Sequence, residues 1–258
     1  MLSVGLSRLA ARGGIGRGPR AGDVANVVSL CVAFAFVAAI ALRPSLFAAS
    51  YMSAGFCVSF VGTPFNSHVL CFCVDAVATL ALVVLCVRRP GTRGLDRVRE
   101  SMWGVLGHGV GHLAIHTAGG GAVGVTPGVC AALVFFWYLL LRPLSRSRAL
   151  VCAMSLAHST ALMTFVPPVF AFTYVQTVLI TAFVGRDLAA AARKDAHYDA
   201  WSWCVNVPVV LAGWLEALAC DYGLIAIGGH VLYDAVIPLS MLVYAGIALS
   251  RGEERKAA

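Results

Sequence analysis

The sequence predicts an all-α fold: a polytopic membrane bundle of about eight transmembrane helices with both termini on the cytoplasmic side. Three observations predict it. Of 258 residues, 60% are hydrophobic and only 12% charged, with a mean hydropathy of +0.85. A soluble domain carries about 25% charged residues, so this chain has half the charge needed to cover a surface in water. The apolar residues fall in runs of about 20, the length that crosses a hydrocarbon core about 30 Å thick. Basic residues separate alternate runs. The same composition excludes disordered, collagen-like and disulfide-scaffold chains.

The runs lie at 24–42, 66–87, 101–120, 122–142, 148–166, 168–185, 201–220 and 223–250. Thr117-Ala-Gly-Gly-Gly121 splits the third from the fourth, Pro167-Pro168 the fifth from the sixth, and Asp221-Tyr-Gly223 the seventh from the eighth. Each break has the composition of a short turn between antiparallel neighbours. The basic residues test the count independently. Arg8, Arg12, Arg17 and Arg20 precede the first run; Arg88, Arg89, Arg93, Arg97 and Arg99 follow the second; Arg142, Arg146 and Arg148 follow the fourth. Arg186, Arg193 and Lys194 follow the sixth, and Arg251, Arg255 and Lys256 close the chain, leaving only Arg43 on the opposite face. By the positive-inside rule that shared face is cytoplasmic, or the equivalent side of an endomembrane or organelle membrane. Trp103, Trp137, Trp201 and Trp203 lie toward it, where an interfacial aromatic belt belongs.

This divides the chain into a basic N-terminal tail (1–22), the bundle (23–250) and a charged cytoplasmic tail (251–258). The first segment holds four Arg and no acid, so it reads as a cytosolic tail or, second, as a transit segment. The net charge of +7 is spread over five segments, reports topology and implies no nucleic-acid partner. Nine Cys occur, mostly within spans, where Cys packs as a small apolar residue, and Cys71-Phe-Cys73 reads that way too. Cys57 and Cys220 lie near the non-cytoplasmic face and can pair.

Ionisable groups at membrane depth are expensive, so they face a cavity or a partner and mark function. Here they gather. Asp75 lies in the second run, His108, His112 and His116 in the third, His158 in the fifth, Glu216 in the seventh, and His230 and Asp234 in the eighth. Counted from the outer ends at about 1.5 Å per residue, Glu216 and His116 lie about 6 Å inside. Asp75, His112, His158 and His230 lie at roughly 10–14 Å, and His108 and Asp234 at about 18 Å. All occupy the outer half, which leaves the cytoplasmic half dry.

The strongest local pattern is Gly107-His-Gly-Val-Gly-His-Leu-Ala-Ile-His116. Its histidines recur every four residues, so each ring turns only about 40° from the last and all three climb one face. Imidazoles so spaced can share a metal. Gly104, Gly107, Gly109 and Gly111 thin the same helix and admit a neighbouring backbone. Gly228-Gly-His-Val-Leu-Tyr-Asp234 places His230 and Asp234 one turn apart. His158 stands alone and suits packing as well as a role; His68 sits at the mouth of its span; His197 falls in a solvated cytoplasmic loop; Asp221 caps a turn.

Imidazoles with a few carboxylates suit zinc, and after it iron, better than magnesium or calcium. The expected metal ligands are Asp75, His108, His112, His116 and His230, with Glu216 and Asp234 as catalytic acids or bases. Such a metal activates water, and a site at this depth meets a membrane lipid or other amphiphilic small molecule. The expectation is therefore a metal-dependent enzyme that hydrolyses or modifies an amphiphile. A proton- or metal-coupled transporter and a b-type haem protein are the alternatives. A retinal protein is excluded, because Lys194 and Lys256 both lie outside the spans.

The chemistry is similar to that of the alkaline ceramidases and adiponectin-type receptors, seven-helix zinc proteins. They carry a Ser and a His on an early helix, then an Asp, then His-x-x-x-His on the last helix. Here His-x-x-x-His is on the third span, the last offers His230-x-x-x-Asp234, and no Ser-x-x-x-His precedes Asp75. Motif order and span count differ, so the chain is not placed in that family.

Overall fold

The computed structural model describes residues 19–54, 57, 67–92, 94–99, 101–102, 105–106, 109–110, 134, 137, 146–189, 195–223 and 229–257. Among them the fold is helical and holds no strand. Helix α1 spans Ala21–Leu42 and is followed by a 3-10 turn, Pro44–Leu46, and the short α2, Ala49–Ala54. Then come α3 (Ser67–Arg88), α4 (Arg148–Phe165), α5 (Pro168–Ala189) and α6 (Ala196–Trp201). A π-helical turn, Ser202–Asn206, joins α6 to α7 (Val207–Ala219), and α8 runs from His230 to Ala257.

Among the described residues, five helices are long and apolar enough to cross a membrane: 21–42, 70–88, 169–189, 196–219 and 230–251. Each matches an expected span. Helix α4 stands where the fifth span is expected, but Arg148 and the run Ser155, His158, Ser159 and Thr160 dilute its apolar character, and it falls outside that group. The expected third and fourth spans lie largely outside the described residues. The seventh begins earlier than expected, at Ala196, and the eighth later, at His230. The expected charged tail continues α8 as helix to Ala257.

Two apolar clusters set the two ends of the bundle. Near one end Leu82 and Cys86 of α3 pack with Leu95, Val98, Trp201, Met241, Tyr244 and Ala248. Charged groups gather just beyond: Arg20 pairs with Asp199 at 2.9 Å, Arg97 with Asp187 at 2.8 Å, and Arg251 donates to the Ala196 carbonyl at 2.6 Å. Basic residues far apart in sequence thus meet at one end. Near the other end Phe36, Ile40, Phe47, Tyr51, Val169 and Ala217 surround a disulfide between Cys57 and Cys220, with Cα atoms 5.5 Å apart.

Two sequence expectations are corrected at the basic end. His197 is helical and buried, not solvated, because Gly94, held at φ +96°, offers no side chain where the imidazole lies. Trp201 is buried edge-on against Tyr244, ring centroids 4.9 Å apart. Trp137 is likewise buried, whereas Trp203 is exposed and donates to the Ala21 carbonyl at 3.0 Å. The half of the bundle at this end, expected to be dry, is not. Tyr198 donates to Asp23 at 2.6 Å, Asn26 to Tyr198 at 3.0 Å, and Asn206 to Asn26 at 2.7 Å. This polar seam clasps α1 to the π-helical turn. Replacing Asn26 with Leu leaves the Asn206 amide without its acceptor and should cost about 1–3 kcal/mol of stability. Thermal unfolding in detergent, read against Val28→Leu on the exposed side of α1, measures it.

Candidate functional site

The acids and the imidazole expected in the outer half meet at the disulfide end, on the facing ends of three helices. Glu216 lies one turn before the end of α7, His230 is the first residue of α8, and Asp234 is one turn further on. All three are buried. The Oε1 atom of Glu216 accepts two hydrogen bonds of 2.7 Å, one from the backbone N–H of Cys57 and one from Nδ1 of His230. The other ring nitrogen, Nε2, faces Oδ1 of Asp234 at 3.5 Å. Glu216, His230 and Asp234 thus form a file with one imidazole between two carboxylates.

Two groups of α3 complete the buried neighbourhood. Cys71 is fully buried beside Asp234, and Asp75 is buried one turn further in. Gly109 reaches the same neighbourhood. A Cβ placed on Gly109 would stand 2.8 Å from the Cβ of Asp75 and 3.3 Å from its Oδ2. Only a residue without a side chain lets that backbone lie so close to the carboxylate.

Tyrosines wall the cluster. Tyr233 stacks on His230, centroids 5.6 Å apart and planes 20° apart, and receives a hydrogen bond of 3.4 Å from Gln176. Tyr51 of α2 is buried nearby, and burial holds its hydroxyl well above the usual tyrosine range, so it stays neutral. The α2 segment is fastened over the end of α7. Ala48 donates to the Ala217 carbonyl at 3.0 Å, and the Asp221 carboxylate accepts from the backbone N–H groups of Ala49 at 2.7 Å and Ser50 at 3.4 Å.

Asp221 therefore caps the start of α2, not its own turn. The Ser50 hydroxyl first, then the two backbone donors, hold its carboxyl below the ordinary value. A lowered folded pKa stabilises the capped form above the unfolded pKa of about 3.9, and this is lost as pH falls through the folded value. Hydrogen exchange of residues 49–54 should accelerate below about pH 4 in the native protein, and Asp221→Asn should flatten that dependence.

In place of the expected start at residue 223, α8 starts at His230, so His230 is its first residue and Asp234 lies about 6 Å along it. Among the sequence-expected site residues, Glu216, His230 and Asp234 are brought together and Asp75 lies on the same side of the bundle's core. His108, His112 and His116 lie outside the described residues. Among the described residues, no three His, Cys, Asp or Glu side chains are grouped to hold a metal ion. His158 belongs elsewhere, packed edge-on against Trp137 at 4.4 Å. Two members of the cluster are absent from the sequence expectation: Cys71, which sequence alone assigns to packing, and the backbone of Cys57. Cys71 precedes Asp75 by one helical turn, which was the available signal; nothing local pointed to the Cys57 amide.

No protein-family model, no curated protein and no solved structure matches this chain. The functional conclusion rests on the geometry.

Proposed function

We propose that the chain is an eight-span membrane protein with both termini cytoplasmic, and that its outer cluster holds one divalent metal, zinc before iron. The metal serves hydrolysis or modification of a lipid or other amphiphile. The disulfide supports the orientation, since such bonds persist on the oxidising side of a membrane, opposite the end where Arg20, Arg97 and Arg251 gather.

The observation that carries the metal proposal is the setting of His230. A carboxylate on Nδ1 is the usual outer partner of a metal-ligating histidine; it fixes the tautomer and leaves Nε2 for the metal. Two ligands about 2.1 Å from a tetrahedral zinc are about 3.4 Å apart, close to the 3.5 Å between Nε2 and Asp234. Glu216 then orients His230, while Asp234, with Oδ1 3.5 Å from Nε2, and Asp75 serve the metal or its water. Further ligands come from the histidine segment. In an ideal helix the residues three and seven places beyond Gly109 share its face, and these are His112 and His116. Such a metal lowers the pKa of a bound water, and a carboxylate beside it takes the proton.

Elemental analysis of the purified protein tests this. It should find about one zinc per chain, lost on Asp234→Ala and on His112→Ala. Native protein that holds no zinc or iron, after growth in supplemented medium, would overturn the proposal. A second reading has its own observation: an imidazole flanked by two carboxylates is also a proton relay, as in a proton-coupled transporter. Proton flux into liposomes that disappears with His230→Gln, from metal-free protein, would favour it.

A further inference from the structure

We propose that the Cys57–Cys220 disulfide is a one-way latch that assembles the cluster, so that the Glu216–His230 pair forms only after oxidation on the outer face. This rests on the position of Cys57, not on the identity of any metal. Both polar groups of the Cys57 backbone are spent on the cluster. Its N–H donates to Glu216 Oε1 at 2.7 Å, and its carbonyl accepts from the His230 N–H at 2.9 Å. The residue that makes both bonds is tied covalently to Cys220, the C-cap residue of α7, one helical turn beyond Glu216. Cys57 therefore sits between α7 and α8 as a backbone clip, and the sulfur bridge sets its distance from the Glu216 turn.

Without the bridge, the clip depends on two backbone hydrogen bonds and on the fastening of α2 by Asp221 and Ala217. Each is modest in free energy. With Cys57 displaced, Glu216 loses its backbone donor and His230 loses the acceptor for the first N–H of α8. The order of events follows. The two thiols give up two electrons and two protons to a disulfide oxidant, which becomes two thiols, and the S–S bond closes Cys57 onto α7. The cluster then completes. Both cysteines are fully buried once this is done, and a reductant thiol must reach a sulfur to cleave the bond. The latch closes readily and reopens only through local unfolding.

Site-resolved alkylation reads the latch without needing metal. Cys71 is 0% exposed beside the cluster, and Cys86 is 6% exposed in the apolar core at the opposite end. Full-length protein in detergent is treated with N-ethylmaleimide, and labelling at each cysteine is followed by mass spectrometry. In Cys220→Ser and in Cys57→Ser, labelling of Cys71 should accelerate at least about tenfold, while Cys86 keeps its native rate. Native protein under mild dithiol should remain protected at Cys71. Native-like protection of Cys71 in both variants would overturn the latch. So would equal acceleration at Cys71 and Cys86, because the bridge would then hold the whole fold and not the cluster. Absence of zinc with the expected labelling would leave the latch standing and fail the metal proposal alone.

Discussion

Replacing Glu216 with Ala should cost about 3–5 kcal/mol of stability, among the largest effects of any single substitution in this protein. One atom, Oε1, accepts both from the Cys57 N–H and from His230 Nδ1, each at 2.7 Å. Its removal leaves a backbone donor and a ring donor buried without their acceptor, and a buried orphan costs its full desolvation. The loss acts on fold and site together. The Cys57 clip loosens, and the imidazole loses the partner that orients it, which lowers the affinity of a ligated metal by about 10–100-fold. Glu216→Gln keeps an oxygen for the Cys57 donor, so its stability loss should be about half as large or less, while the metal affinity still falls. Unfolding in mixed micelles measures the first effect and competition with a chelator the second. Equal stability of the Ala variant and the native protein would show that the two hydrogen bonds contribute nothing net.

Gly109→Leu should be the most damaging change outside the acids. A Cβ at this position already stands 2.8 Å from the Cβ of Asp75, closer than real carbon atoms approach. The opposing atoms belong to the root of a side chain on α3, not to a flexible tip, so a helix must move. Forcing added methylenes into a packed interface costs about 1–3 kcal/mol or more. The functional effect should exceed the structural one. In the proposed metal site, a shift of Gly109 by about 1 Å away from Asp75 would spoil a geometry that metal ligands tolerate only within about 0.2 Å. Gly109→Ala should show the same effects in smaller measure. Thermal unfolding and zinc content, taken on the same samples, separate the two losses.

The helices were legible because the bilayer imposes a length, and a run of about 20 apolar residues suits little else. The gathering of Arg20, Arg97 and Arg251 at one end was legible for the same kind of reason, since positive loops share a side. Position along α8 was not. Hydropathy counts Leu224, Ile225, Ala226 and Ile227 as membrane residues, so the expected span starts at residue 223, whereas the helix begins at His230. This one displacement brings His230 and Asp234 about 10 Å nearer the start of their helix. Long-range partners were equally hidden. Asp221 caps a helix 172 residues earlier, and His197 is buried because Gly94, far away in sequence, leaves room for it. The polar seam of Asp23, Asn26, Tyr198 and Asn206 escaped because each residue alone looks like the polar edge of a span. Of the candidate site, the residue types were readable from spacing and depth, but the division of labour between Glu216 and Asp234 was not. Glu216 meets Nδ1 from another helix, 14 residues away in sequence, whereas Asp234 faces Nε2 from one turn along the same helix.

The central claim is that the outer acids and imidazoles converge on one metal. X-ray absorption at the zinc edge, on zinc-loaded native protein, tests it most directly. Convergence predicts nitrogen and oxygen ligands at about 2.0–2.1 Å, with the outer-shell scattering of more than one imidazole, reduced by His112→Ala and by His230→Ala alike. A zinc spectrum showing water ligands alone, unchanged by either substitution, would contradict it.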